Sequence, residues 1–296
     1  PQDGRLSARV SGREVDVRAS AVPGVHGESI VMRLLPKERE DLSLEKLGFE
    51  PGDLVRFRRW ATEPHGIVLV TGPTGSGKST TLYATLESIN DRAEKIITVE
   101  DPVEYQVRGI TQIQANAEIG YTFARALRAI LRQDPDVVMI GEIRDRETAE
   151  IAIQAALTGH LVFSTLHTND AVSAFTRLVD MGVEPFLVAT SVRAVQAQRL
   201  LRRLCGACSV PADVLPPISA AVAPYLAPGE TPNWRRAVGC PACQGTGYRG
   251  RVGIYELVEV TPDLQGLVMQ RATAGEMRRT ADGQGGRTLR LDGLLK

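Results

Sequence analysis

Several features that would point to common protein classes are scarce in this sequence of 296 residues. Aromatic residues make up only 5% of it, and 35 Lys and Arg residues balance 35 Asp and Glu residues. A non-specific nucleic-acid binder usually has a basic surface with aromatic stacking platforms, so this composition argues against that role. The sequence also lacks the ~18 consecutive apolar residues of a membrane span and a secretory signal. It opens on Pro1, and we expect the natural N-terminus to lie upstream.

Cysteine is scarce as well, and all four cysteines fall in two C-x-x-C pairs. Cys205 pairs with Cys208 and Cys240 with Cys243, and 31 residues separate the two pairs. Two such pairs offer the four thiolates of a closed, structural Zn²⁺ site. Redox-active dithiols are the competing interpretation, and a catalytic zinc is disfavoured because four protein ligands leave no open position. Without a disulfide framework, the expected location is the cytoplasm.

The most informative stretch is residues 66–82, GIVLVTGPTGSGKSTTL. An aliphatic run at 67–70 predicts a buried strand, and apolar residues at helical spacing follow the glycines. In that context the pattern G-x-x-x-x-G-K-[ST] predicts a loop whose backbone N–H groups surround phosphate oxygens at a helix N-terminus. We expect Lys78 to reach the β- and γ-phosphates of ATP and the Ser79 hydroxyl to hold Mg²⁺. The predicted phosphate loop comprises Gly72, Pro73, Thr74, Gly75, Ser76, Gly77, Lys78, Ser79 and Thr80.

Strand and helix signals alternate through the middle of the chain. Further buried strands are predicted at 96–99, 137–140 and 161–164, with helices between them. This order predicts an α/β fold with a parallel sheet covered on both faces. Residues 1–35 instead show period-2 alternation, which predicts strands, with a turn at Ser11 and Gly12. Because a few strands without a helix cannot form a stable domain, we expect this segment to be the tail of a larger one.

The chain is therefore expected to contain five regions. A charged stretch at 36–41 predicts a solvated linker after the first of them. The five are a partial N-terminal domain at 1–40, a linker and first helix at 41–58, a nucleotide-binding core at 59–204, a four-cysteine element at 205–250 and a helical C-terminal region at 251–296.

Polar groups follow the carboxyl ends of the predicted parallel strands, which is where open α/β sheets bind ligands. The second strand ends in Glu100, Asp101 and Glu104, and the third ends in Glu142. Carboxylates suit Mg²⁺, and neighbouring acids can raise one another's pKa towards that of a base. His167 follows the fourth strand, so we expect it to sense the γ-phosphate.

Longer blocks of the sequence resemble the secretion ATPases of the type II secretion and type IV pilus assembly superfamily. They cover nearly the whole chain: GPTGSGKST, ITVEDPVEY, LRQDPDVVMIGEIRD, TGHLVFSTLHTNDA, VEPFLVATSVRAVQAQRLLRRLC and GYRGRVGIYELVEV. The resemblance implies a RecA-like ATPase core, preceded by a PAS-like α+β domain that is only partly present here. It also implies a homo-hexamer with ATP and Mg²⁺ bound between subunits.

The resemblance also assigns roles to individual residues. Glu104 would activate the attacking water, Glu142 would be the Walker B carboxylate near Mg²⁺, and Glu100 and Asp101 would support them. Two further pairs follow from the same resemblance, namely the histidine-box residues His160 and His167 and the arginines Arg18 and Arg33, which would reach a neighbouring subunit's nucleotide. From the residues alone, both arginines are ordinary strand-face charges.

The function implied by the resemblance is ATP hydrolysis that powers type II protein secretion. Pilus retraction motors of the superfamily lack the four-cysteine element, so its presence favours an exporting or assembling motor. Type IV pilus assembly is the alternative within the family, and a RecA-like nucleic-acid motor is the alternative from another class. The implied partners are further copies of the chain and secretion proteins of the inner membrane, with no nucleic acid. The implied location is the cytoplasmic face of that membrane, and the domain that docks such motors onto it is absent from this sequence.

Overall fold

The computed structural model describes residues 1–10, 13–36, 42–226 and 229–296. The chain forms two compact units, Pro1–Leu42 and Ser43–Lys296, and each is described by itself. The turn predicted at Ser11 and Gly12 and most of the charged stretch, residues 37–41, lie outside the described residues.

The first unit contains a three-stranded antiparallel sheet in the order β1-β2-β3. Its strands are β1 (Gln2–Val10), β2 (Arg13–Gly24) and β3 (Gly27–Pro36). A tight turn joins β2 to β3, where Gly27 has a φ of +123° that a side chain would disfavour. The period-2 pattern therefore predicted the strands of this segment correctly.

The second unit is built on a seven-stranded sheet in the order β12-β9-β4-β8-β7-β5-β6. Strand β12 runs antiparallel to β9, whereas all other neighbouring strands in this sheet are parallel. A separate pair, β10 with β11, lies between β9 and β12 in sequence. The strands are β4 (Gly66–Thr71), β5 (Ile96–Glu100), β6 (Thr111–Gln114), β7 (Val137–Ile140), β8 (Leu161–Leu166), β9 (Val192–Leu204), β10 (Val210–Pro211), β11 (Arg235–Arg236) and β12 (Tyr248–Glu259).

Ten α-helices are present among the described residues, and the helices predicted within the core are all confirmed. None of the helices in the described part of the chain combines the length and the apolar composition needed to cross a membrane. The helices are α1 (Pro51–Ala61), α2 (Lys78–Ile89), α3 (Phe123–Ile130), α4 (Arg146–Leu157), α5 (Ser173–Asp180), α6 (Pro185–Ser191), α7 (Pro216–Val222), α8 (Pro262–Met269), α9 (Ala274–Asp282) and α10 (Leu289–Leu295).

The core of this unit lies on the faces of the parallel strands, whose continuous aliphatic sequences reflect burial on both sides. All residues of β4, β5, β7 and β8 are buried. Ile67 and Leu69, which share one face of β4, pack in a cluster with helices α3 to α6, α8 and α9. Helices α1 and α2 contact each other, and α2 also contacts β4. The predicted α/β fold is confirmed.

The C-terminal region differs from the sequence expectation. Residues 251–259, expected to be helical, belong to β12, and helices begin only at Pro262. Polar residues within GIYELVE obscure the alternation by which a strand is recognised in the sequence. One of them, Glu256, is buried and pairs with Arg278 instead of facing water. Strand β9 likewise extends for 13 residues. The two form a long antiparallel ribbon that reaches from the main sheet to the four-cysteine element.

Candidate functional site

The phosphate loop connects the end of β4 to the start of α2, as predicted. At Gly72 the φ is +149°, and a Cβ there would lie 2.5 Å from the carbonyl oxygen of Gln198. Gly77, with a φ of +92°, caps α2 immediately before Lys78. Lys78 Nζ donates to the carbonyl oxygens of Gly72 at 2.8 Å and Pro73 at 3.2 Å. The loop is thus a tight backbone cradle at a helix N-terminus, which is a site for anions.

Burial lowers the pKa of Lys78, and Arg199 acts in the same direction while Glu142 opposes it. These two neighbours place a carboxylate and a second cation near the phosphate loop. Arg199 lies on β9 and donates to Asn169, both to its carbonyl oxygen at 3.1 Å and to its side-chain Oδ1 at 3.2 Å. The site is therefore a mixture of cations and a carboxylate, which suits a triphosphate with a divalent cation.

Gln198 on β9 supports the phosphate loop through two hydrogen bonds. Its Nε2 donates to the carbonyl oxygen of Ser76 at 2.8 Å, and its Oε1 accepts from the Thr81 hydroxyl at 2.9 Å. The Ser76 hydroxyl is buried and has no hydrogen-bond partner among the described residues. The Ser76 hydroxyl is thus a buried donor without a partner in the described part of the chain, and it lies in a backbone loop that a Cβ at Gly72 would obstruct. Both features fit a loop that binds phosphate oxygens.

Glu142 and His167 follow β7 and β8, respectively; β8 lies next to β4 in the sheet, and β7 is the next strand beyond it. His167 Nε2 lies 3.3 Å from Glu142 Oε2, and Arg144 forms an ion pair with Glu142 Oε1. Burial raises the pKa of Glu142, but the hydrogen bond and charge of Arg144, together with His167, hold it below its ordinary value. A carboxylate that stays ionised beside the phosphate loop is suited to a hydrated Mg²⁺ ion.

The three acids at the end of β5 and in the loop after it have different environments. Glu100 is 4% exposed, and its carboxylate accepts hydrogen bonds from Tyr83, Thr98 and Gln112. Asp101 and Glu104 are exposed in the loop that follows, which leads towards β6. The Glu104 side chain is thus accessible to a ligand, whereas the Glu100 carboxylate is surrounded by hydrogen-bond donors of the protein.

His160 does not lie with these groups, so the expectation that it joins the site is corrected for a single copy of the chain. It precedes β8, and its carbonyl oxygen accepts from Gly66 N–H at the opposite end of β4 from the phosphate loop. Its Nδ1 lies 2.9 Å from the carbonyl oxygen of Ala155. Since a strand rises about 3.3 Å per residue, the seven residue steps along β8 separate His160 from His167 by about 23 Å.

Arg18 and Arg33 lie in the first unit and face each other as direct partners in β2 and β3. With Asp3 they line a cavity of about 490 Å³ in that unit. Two guanidinium groups on neighbouring strands can bind one anionic group together, because each offers a fork of N–H donors.

The four cysteines converge as predicted, with all Sγ atoms within 4.8 Å of one another. Cys205 and Cys240 Sγ are 3.9 Å apart, as are Cys208 and Cys243, and Cys240 and Cys243 are 3.7 Å apart. A tetrahedral Zn²⁺ with Zn–S bonds of ~2.3 Å requires S–S separations of about 3.8 Å. Burial opposes ionisation of Cys243, but N–H groups of Cys240 and Gly247 lower its pKa to about 6. The four sulfur atoms therefore fit structural zinc.

The comparisons with known proteins agree with this geometry. The sequence model described as "Type II/IV secretion system protein" matches residues 1–296. The chain belongs to that family.

Two curated relatives belong to different systems. The type II secretion system protein HxcR of Pseudomonas aeruginosa is 57% identical over 99% of this chain and 58% of its own length. The type IV pilus assembly ATPase PilB of Myxococcus xanthus is 50% identical over 100% of this chain and 53% of its own length. The chain spans little more than half of the curated relatives that it matches.

A solved structure of the pilus retraction motor PilT with bound ADP superposes with a TM-score of 0.62 at 29% identity. It covers 99% of this chain and 77% of the PilT chain. The expected resemblance to secretion ATPases and the P-loop ATPase fold are both confirmed.

The sequence analysis did not identify several residues that are distant from the motifs in sequence but support the site in the folded chain. Gln198 and Arg199 follow no local motif and reach the phosphate loop only because β9 pairs with β4. Arg278 on α9 lies 2.9 Å from Asp170, three residues after His167, and 2.7 Å from Glu256 on β12. Helix α9 therefore contacts the loop that follows His167.

Proposed function

We propose that this chain is the ATP-hydrolysing part of a secretion motor that works as a homo-hexamer. One observation carries the proposal: Lys78, Glu142 and His167 converge at the carboxyl ends of neighbouring strands, beside a loop shaped for phosphate. Because the chain spans little more than half of its curated relatives, the activity of the whole protein is part of this proposal.

The residues of the chain would divide the work by their chemistry. Backbone N–H groups of the phosphate loop and Lys78 would bind the β- and γ-phosphates, and His167 would contact the γ-phosphate. Ser79 and the ionised Glu142 would hold Mg²⁺, and the ion would neutralise negative charge on the phosphate oxygens. Glu104 would accept a proton from the attacking water, with Asp101 beside it.

Arg18 and Arg33 would complete the site of a neighbouring subunit. An arginine that stabilises the transferred phosphoryl group in trans can raise the rate by about 10³–10⁵. Their pairing across β2 and β3 supports a joint role, since it lets both guanidinium groups address one anion. The site would then be complete only in the assembled ring, between two copies of the chain.

Among the systems of the family, we propose type II secretion, in which ATP hydrolysis would drive assembly of a pseudopilus. HxcR, a type II protein, is more similar to this chain than PilB is. Type IV pilus assembly is the second candidate, favoured by 50% identity to PilB. The proposed partners are secretion proteins of the inner membrane, and the proposed location is its cytoplasmic face. The zero net charge gives no support to the alternative of a nucleic-acid motor.

The first experiment tests Glu104 by its replacement with Gln. Glu104→Gln should bind ATP as the parent does and lose turnover, because an amide cannot accept the proton. Glu118→Gln, a matched change of an exposed glutamate on a short 3₁₀ turn, should hydrolyse ATP at the parent rate. Normal turnover by Glu104→Gln would exclude Glu104 as the base.

The second experiment tests the shared site. ATPase activity per chain is measured against protein concentration, with sizing of the same samples. Activity should rise with assembly and should fall in Arg18→Ala and Arg33→Ala without loss of ATP binding. Full activity of a monomer, independent of both arginines, would contradict a site shared between copies.

A further inference from the structure

The loop that carries Glu104 is fastened to a buried polar cluster, which we call the loop hub and define as Tyr83, Glu100 and Gln112. Tyr83 and Glu100 are 1% and 4% exposed, respectively. The Tyr83 hydroxyl donates to Glu100 Oε2, while Glu100 Oε1 accepts from Thr98 Oγ1 at 2.6 Å and from Gln112 Nε2 at 3.2 Å. The Glu100 carboxylate therefore acts as a fixed acceptor within the protein.

The hub holds the loop at three backbone positions. The Tyr83 hydroxyl accepts from Glu104 N–H at 3.3 Å. Gln112 Nε2 donates to the carbonyl oxygen of Tyr105 at 3.1 Å, and Gln112 Oε1 accepts from Val107 N–H at 2.7 Å. The ring of Tyr83 also packs on that of Tyr105, with centroids 4.0 Å apart. These contacts fix the backbone of residues 104–107 and leave the Glu104 side chain exposed.

The hub also joins this loop to the nucleotide site. Tyr83 lies on α2, the helix that begins at Lys78, and Gln112 lies on β6 opposite Thr98 of β5. Burial, and then the charge and hydrogen bond of Glu100, raise the pKa of Tyr83. The hydroxyl thus stays protonated, and it can donate to Glu100 while it accepts from Glu104. A single phenol therefore ties the helix behind the phosphate loop to the residue proposed as the base.

We propose that Tyr83, Glu100 and Gln112 are positioning residues, which set the location of Glu104 relative to the γ-phosphate through the backbone of residues 104–107. This inference rests on the proposed function, since it takes Glu104 to be the base. It assigns Glu100 an indirect role: Glu100 holds Tyr83 and Gln112 and does not touch the nucleotide.

Tyr83→Phe tests the proposal because it removes the bridging hydroxyl and keeps the ring against Tyr105. We expect kcat for ATP to fall by about ten- to a hundredfold with KM unchanged, since a misplacement of ~1 Å can cost about 10²-fold in rate. The matched control is Tyr225→Phe, which makes the same change in an exposed ring on a 3₁₀ turn far along the chain from these contacts. The control should keep the parent kcat.

Two readouts separate positioning from a general loss of structure. Amide hydrogen exchange over residues 101–109 should accelerate in Tyr83→Phe and in Gln112→Leu, while exchange in β4 stays unchanged. In a double-mutant cycle, Tyr83→Phe should slow the parent but cause little further loss in Glu104→Gln, because the hydroxyl acts only through Glu104. Parent-like kcat in Tyr83→Phe, unchanged exchange at 101–109, or an additive cycle would each overturn the proposal.

Failure of this inference can be distinguished from failure of the proposed function. If Glu104→Gln alone retains parent turnover, the assignment of the base fails, and the positioning proposal fails with it. If Glu104→Gln is inactive and Tyr83→Phe is not impaired, only the positioning proposal fails.

Discussion

The ion pair between Arg278 and Glu256 makes a quantitative prediction about how the C-terminal helices hold the second unit together. The Glu256 side chain is 5% exposed, and Arg278 Nη1 lies 2.7 Å from its Oε1. Arg278→Met keeps an unbranched apolar stem and removes the charge. Breaking a buried pair in this way costs about 3–5 kcal/mol. Because Ala171 and Leu289 N–H groups still donate to Glu256, we expect the lower end of that range.

The assay is thermal and urea unfolding of the full chain. About 3 kcal/mol corresponds to a fall in Tm of roughly 6–12 °C for a unit of this size. Arg279→Met, at the exposed neighbouring position, is the matched control and should change stability by no more than about 0.5 kcal/mol. Adding Glu256→Gln to Arg278→Met should recover part of the loss, because the unpaired charge is then removed. Equal stability of Arg278→Met and Arg279→Met would refute this reasoning.

Three further predictions concern the metal, the phosphate loop and pH. Cys243→Ser should reduce zinc below one equivalent per chain and accelerate hydrogen exchange within 205–247 but not in β4; metal analysis showing full occupancy would contradict this. Gly72→Ala would bring a methyl group within 2.5 Å of the Gln198 carbonyl oxygen. A strain of about 1–3 kcal/mol in the phosphate loop should lower the affinity for ATP by roughly 5- to 150-fold, measured by calorimetry. Burial raises the pKa of Glu142, but Arg144 and His167 hold it below its ordinary value. The ionised Glu142 therefore stabilises the folded state fully above the unfolded-state pKa of about 4.3, and this stabilisation is lost as the pH falls through the folded-state pKa. Glu142→Gln should therefore weaken the dependence of the unfolding free energy on pH below about pH 5; an unaltered dependence by urea unfolding would count against the pairing.

The parts of the fold that depend on local sequence were predictable. The buried strand before Gly72, the phosphate loop and the helix from Lys78 form one continuous signal, because each needs only its own residues and immediate neighbours. The four cysteines were predictable for a related reason: two C-x-x-C pairs restrict the possible geometry even across 31 intervening residues. Zinc ligation, the roles of the acids and the trans arginines stay predictions.

The parts that depend on distant pairing were not predictable in the same way. Gln198 supports the phosphate loop only because β9 lies beside β4. Glu256 is accommodated in β12 because Arg278 of α9 and the N–H groups of Ala171 and Leu289 bind its carboxylate. His160 is a different case. The resemblance placed it with His167 in the histidine box, but within a single copy of the chain the two residues lie at opposite ends of β8.

The three glutamates near the phosphate loop illustrate how environment divides roles among identical side chains. Glu142 has a lowered pKa beside Arg144, which makes it a good partner for a cation and a poor proton acceptor near neutral pH. Glu100 has both oxygens engaged by protein donors, which makes it a structural acceptor. Glu104 is exposed on a loop whose backbone is fixed, and a base needs both properties: access to water and a defined position. The environments of all three glutamates therefore support the proposal that Glu104 is the base, and that proposal depends on the loop hub as much as on Glu104 itself.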